Sequence, residues 1–182
     1  VKRTELQNNL AITMVLISGG MLFTTLFMGY AVYRSSAIVW PPVGASKVAL
    51  GLPTLATFTI LISSWFCYLT RKAVKDSNIT KAKMELNVTF SLGLVFMLIQ
   101  SLLWYKLKAS GVYTHSGIFA SILYAFTWIH AAHVFLGLVA LGWLRLVMKS
   151  SEGILQKTIN VERFWHFLAV IWIIMFLTLF VL

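Results

Sequence analysis

Five apolar runs, at about 10–33, 51–70, 84–105, 117–144 and 164–182, make up most of this 182-residue sequence. A bilayer's hydrocarbon core is about 30 Å thick, so a helix crosses it in about 20 mostly apolar residues. Each run is long enough for one crossing. The sequence therefore predicts an all-α, polytopic transmembrane bundle of about five helices, forming a single domain over 1–182. A soluble fold is disfavoured on the same ground, since 11% of the residues are charged against about 25% in a typical soluble domain. The first run is too long for the hydrophobic region of a signal peptide and no convincing cleavage site follows it, which predicts a retained helix. Pro53 falls in the first turn of the second run, where its missing N–H costs nothing. The fourth run exceeds a perpendicular crossing and implies tilt or overhang. Asn160 is placed as the N-cap of the last helix, with Glu162 in its first turn, favourable to the helix dipole.

The formal net charge is +10, a balance that in a soluble protein would point first to nucleic acid. Here the basic residues sit in short segments between apolar runs, the placement of topology signals and lipid-headgroup contacts, and no nucleic-acid partner is expected. Lys2, Arg3, Arg71, Lys72, Lys75, Lys81, Lys83, Arg145, Lys149, Lys157 and Arg163 fall on one side, and Arg34, Lys47, Lys106 and Lys108 on the other. The richer side is cytoplasmic by the positive-inside rule, which puts the N-terminus inside and the C-terminus outside. Tyr30, Tyr33, Trp104 and Tyr105 then belong to an outer aromatic belt, and Trp65, Tyr68, Trp143 and Trp165 to an inner one. Cys67 is the only cysteine, which excludes an internal disulfide and a cysteine metal cage.

Carboxylates are confined to tails, loops and helix ends: Glu5, Asp76, Glu85, Glu152 and Glu162. A proton carrier or cation-coupled transporter usually needs an acid near mid-membrane, so this chain is a poor pump by itself. His130 and His133, three apart, share one face of the fourth helix with Thr127 one turn earlier, a polar stripe at or below mid-membrane. His166 lies near the inner end of the fifth helix, and antiparallel pairing would bring it towards His133. One reading is a hydrogen-bonded interhelical cluster of neutral histidines. Another is haem ligation between two helices, and a third is contact with lipid or protons. A di-iron site lacks its Glu-x-x-His pattern. Glu162 and His166, one turn apart with Arg163 beside them, form either an interfacial anchor or, with Glu85, a proton-collecting or ion-pair patch on the inner surface. Glu85 and Gln100 otherwise read as packing groups. Small residues at Gly117, Ala120, Ser121, Ala131, Ala132 and Gly137 let a neighbouring helix approach closely. Nothing resembles a phosphate loop, a hydrolase elbow or a nucleophile with its base, and no catalytic centre is expected in this chain.

Three stretches resemble the third subunit of haem-copper respiratory oxidases. Val39-Trp40-Pro41-Pro42-Val43-Gly44, followed by Leu52-Pro53 and the segment 59–64, is similar to that family's Trp-Pro-Pro-x-Gly loop and the helix after it. Gly117, Ser121, Thr127, His130, His133, Val134 and Gly137 match its Thr-Gly-x-His-Gly-x-His-Val pattern ending in glycine. Phe164-Trp165-His166-Phe167, continuing through Val170 and Trp172, resembles its Tyr-Trp-His-Phe-Val-Asp-x-Val-Trp signature. Departures are Trp128 and Ala131 for glycines, Ala169 for the aspartate, and Gln100-Ser101-Leu102-Leu103 without the usual carboxylate. Five helices rather than seven look like the short bacterial form that lacks the first two.

The resemblance implies an accessory subunit of the bacterial cytoplasmic (inner) membrane that carries no cofactor itself. It would pack on catalytic subunit I, with subunit II in the same complex, and haem and copper would reside in the partner. It would bind phospholipid and support proton uptake while the partner reduces oxygen with electrons from cytochrome c or quinol. Trp40, Thr127, His130, His133 and His166 would fix the fold and a lipid-facing cleft. A component of a quinol oxidase or nitric-oxide-reductase system is a related reading. A small b-type cytochrome and a transporter are the readings from other classes.

Overall fold

The computed structural model describes residues 2–38, 40, 49–148 and 153–181. Val39, the whole of the Pro41-Pro42-Val43-Gly44 stretch with Lys47, and Lys149 and Glu152 lie outside the described residues. Five helices follow one another: α1 Lys2–Ser36, α2 Gly51–Lys75, α3 Ile79–Ala109, α4 Ile118–Val147 and α5 Ile154–Phe176, the last widening into a π-helical turn over Leu177–Val181. All five are long and apolar enough to cross a membrane.

The helices outrun the apolar runs that announce them, and α5 does so most. It begins at Ile154 rather than near Phe164, so Asn160 is an interior residue and not its N-cap. The start falls at Gly153, whose φ of 73° is the left-handed conformation that glycine adopts without a Cβ penalty. The added polar turns persist because their side chains are bonded: Thr158 donates to the Ile154 carbonyl at 2.8 Å and Gln156 to Asn9 Oδ1 at 2.7 Å. Glu162 accordingly lies well inside the helix and is 5% exposed. Between α2 and α3 the chain turns in three residues, and the Asn78 side chain caps α3 by accepting from the Lys81 N–H at 3.0 Å.

Antiparallel α2 and α3 form the most extensively packed pair, and α5 lies against α2, α4 and α1. Trp165 of α5 is the hub. Its indole is fully buried and donates to Ser63 Oγ of α2 at 3.1 Å. The benzo edge fills a slot between Gly93 of α3 and Gly137 of α4, where a Cβ would stand 2.8 and 2.9 Å from ring atoms. Trp165 is therefore a core residue and not part of an aromatic belt. Trp65, Tyr68, Tyr105 and Trp143, by contrast, face outward.

Helix α1 is peripheral. In its most apolar stretch 11% of positions are buried, against 50% in α4. It runs parallel to α5, joined by the Asn9–Gln156 bond near one end and by Tyr30, which donates to the Thr178 carbonyl at 2.8 Å, near the other. Between these, Phe23 reaches the core and is fully buried.

Candidate functional site

Many of the polar residues inside the bundle lie along two helix contacts. On α2, Thr57, Ser64 and Arg71 recur every seventh residue, two helical turns apart on one face, with Ser63 beside Ser64. Each meets α5. Trp172 Nε1 donates to Thr57 Oγ1 at 3.0 Å, Trp165 to Ser63, and His166 Nδ1 lies 2.8 Å from Ser64 Oγ. Arg71 Nε lies 2.7 Å from Glu162 Oε2. The α2–α5 contact is thus a ladder of polar rungs spaced along both helices. A hydrogen bond between helices in a bilayer contributes about 0.6 kcal/mol, so the rungs fix register more than they supply stability.

The ladder's last rungs form a small network. Glu162 is nearly sealed, its side chain 7% exposed, whereas those of Arg71 and His166 are 39% and 41% exposed. His166 Nε2 is 3.4 Å from the second Glu162 oxygen. An imidazole protonated at Nε2 donates to Glu162 and accepts the Ser64 hydroxyl proton at Nδ1, so one neutral tautomer meets both contacts. The Arg71 guanidinium also lies over the Tyr68 ring, 5.2 Å from its centroid. A buried carboxylate is thus held by two more exposed partners.

The second contact joins α3 to α4. Trp104 Nε1 donates to Thr127 Oγ1 at 3.0 Å, and that hydroxyl donates to the Leu123 carbonyl. One turn on, the His130 ring is fully buried among Phe23 of α1, Phe96 of α3 and Trp172 of α5, with centroids 6.1, 5.9 and 5.4 Å away. His133 is half-buried, with Nδ1 2.8 Å from the Ile129 carbonyl and its ring against Phe23.

The three histidines do not form one cluster. His130 turns to the core, His133 to its own helix and α1, and His166 to α2. Among the described residues no three His, Cys, Asp or Glu side chains gather to hold a metal ion. Trp40 packs on Tyr30, Tyr33 and Phe119, tying the end of α1 to the start of α4. Arg163 is exposed and Glu85 is buried on α3, while the cation on Glu162 is Arg71. Of the expected grouping, Glu162 and His166 do meet, Arg71 takes the place of Arg163, and Glu85 stands apart. Arg71 and Ser64 escape a reading of charge by loop, although their spacing with Thr57 marks a polar stripe.

The stretches singled out in the sequence meet across these contacts: 59–64 and Trp165-His166 form rungs of one ladder, and the Thr127–His130 turn meets Trp172 through His130. The family model for "Cytochrome c oxidase subunit III" matches residues 3–182. Among curated relatives, cytochrome c oxidase subunit 3 of Thermostichus vulcanus is 32% identical over 177 residues, covering 95% of this chain and 86% of that one. The same-named protein of Synechocystis sp. is 27% identical, over 94% of this chain and 74% of its own length. Cytochrome bo(3) ubiquinol oxidase subunit 3 of Buchnera aphidicola is 27% identical, over 96% and 86%. The chain therefore belongs to the cytochrome c oxidase subunit III family in its five-helix bacterial form, a multi-pass accessory membrane subunit of the electron-transport chain.

Proposed function

We propose that this chain is the accessory, cofactor-free subunit III of a haem-copper terminal oxidase, seated on catalytic subunit I with subunit II in the same complex, its N-terminus on the cytoplasmic side. The observation that carries this reading is the use made of the motif residues. Thr127 and His166 bond neighbouring helices, Trp40 and His133 pack on α1, and His130 is enclosed by three aromatic rings. Residues committed to holding a bundle together suit a subunit that shapes its complex while the haem and copper of the partner carry the electrons.

Lipid binding has a candidate place. A groove of about 650 Å³ between α1 and α5 is lined by Phe27, Tyr30, Ala31 and Ile174, with Arg34 among its walls. An acyl chain would lie along the apolar wall with its phosphate near Arg34. The Glu162–Arg71–His166 network, on the basic side of the bundle, is the group through which the chain would support proton uptake by its partner.

The test is to purify the tagged chain in mild detergent, identify co-eluting polypeptides by mass, and record redox difference spectra of the complex and of the isolated chain. Haem travelling with a large partner, beside a colourless isolated chain, is the expected result. Haem retained by the isolated chain would make it a cytochrome and end this reading. The resemblance to a ubiquinol oxidase subunit favours quinol as a second possible donor. Oxygen uptake by the complex with reduced cytochrome c or with quinol decides between them.

A further inference from the structure

Two side chains on facing helices are sealed from solvent with their polar atoms unpartnered. Gln100 of α3 is 1% exposed and His130 of α4 is 0% exposed. Neither Oε1 nor Nε2 of Gln100, and neither ring nitrogen of His130, has a hydrogen-bond partner. Their placement follows from the helix register. The Trp104–Thr127 bond sets antiparallel α3 against α4. Stepping back one turn on α3 reaches Gln100, and stepping forward one turn on α4 reaches His130, so the two stand at the same level. Phe96, a further turn along α3, touches the His130 ring. Gln100 therefore lies between the two α3 residues through which that helix meets the Thr127–His130 turn.

An unbonded buried amide or imidazole bears the full cost of its desolvation, and a bilayer offers no bulk water to relieve it. Several other buried hydroxyls meet this demand within the protein: Ser63 donates to the Thr89 carbonyl, Thr89 to the Glu85 carbonyl and Thr127 to the Leu123 carbonyl. Glu85 Oε2 and Asn87 Oδ1 are single unpartnered oxygens, whereas Gln100 and His130 lack partners at both of their polar atoms. We propose that Gln100 and His130 form an internal water-binding site, in which ordered water bridges the carboxamide and the imidazole deep in the membrane. Water suits the pair because it donates and accepts. A neutral imidazole offers one donor and one acceptor, and the carboxamide offers two donors and an acceptor. One buried water makes about three such bonds, enough to serve groups on both helices. The rings of Phe23, Phe96 and Trp172 wall the imidazole off on its other sides. The bridge joins α3 to α4 at a level where no direct bond does.

The full chain, with its co-purifying partners, is reconstituted in lipid with ¹⁵N-labelled histidine and studied by water-edited solid-state NMR. Polarisation is expected to pass from water to the His130 ring nitrogens despite their burial, with half-exposed His166 as the positive control. Gln100→Leu should reduce that transfer several-fold while leaving the His133 and His166 signals in place. The wild-type measurement stands alone if that variant misfolds. Absence of transfer to His130 in the wild-type chain overturns the proposal, as does a direct coupling between the Gln100 carboxamide and His130. Undiminished transfer in a folded Gln100→Leu chain does so as well.

Discussion

A methyl group added at Gly93 strikes a side chain with nowhere to go. The Cβ of Gly93→Ala would lie 2.7 Å from Leu138 Cδ2 and 2.8 Å from Trp165 Cη2. The leucine tip can rotate aside, but the indole is fully buried, tethered to Ser63, and backed by Gly137, where the clearance is 2.9 Å. Overpacking of this kind costs about 1–3 kcal/mol, while exchanging glycine for alanine within a helix returns about 1 kcal/mol. Gly142→Ala separates the two effects, because its Cβ meets nothing nearer than Phe90 at 3.8 Å. Gly93→Ala should therefore unfold about 1–3 kcal/mol more readily than Gly142→Ala. Cys67, the single cysteine and 3% exposed, provides the assay: its labelling by a maleimide during titration with a denaturing detergent reports opening of the core. Trp165→Phe removes the benzo ring that carries the clashing atoms, so Gly93→Ala should cost less in that background. Equal midpoints for Gly93→Ala and Gly142→Ala would refute the reasoning.

Arg71→Gln strips the nearly buried Glu162 of its 2.7 Å partner and should cost about 1–3 kcal/mol, between the values for exposed and buried pairs. Adding Glu162→Gln should restore part of that loss, and the same Cys67 labelling, run on single and double variants, checks it. Thr127→Val leaves the Trp104 indole N–H without its acceptor, with an expected cost of about 1 kcal/mol and faster hydrogen exchange at that N–H than at Trp165. Exchange unchanged at Trp104 would mean that the bond is not made.

The five helices were legible in the sequence because apolar length alone sets a membrane crossing. Their ends were not, since hydropathy registers side chains whereas the backbone continues wherever polar residues find partners, as Thr158 and Gln156 do ahead of the last apolar run. His130, His133 and His166 stood out as ionisable residues in apolar surroundings, but rotation about each helix axis, which sends His166 to α2 rather than to α4, is set by packing. Arg71 shows the converse: counted as a topology signal, it proves to be the partner of a buried carboxylate. Trp165 was assigned to the interface on chemical type, whereas paired glycines on two other helices make the slot that buries it.

The parallel pairing of α1 with α5 sets an order in time. At synthesis rates of about 5–20 residues per second, on the order of ten seconds separates the first helix from the last. For that interval α1 has no α5 to lean on, and its mostly outward-facing surface is that of a helix able to wait in lipid alone. The polar groups it later shares with α5, on Asn9 and Tyr30, lie near the two ends of its apolar run, within reach of headgroups and water. At its centre stands Phe23, which has no polar atom to leave unserved, and the ring that covers His130 can arrive before the rest of its enclosure exists.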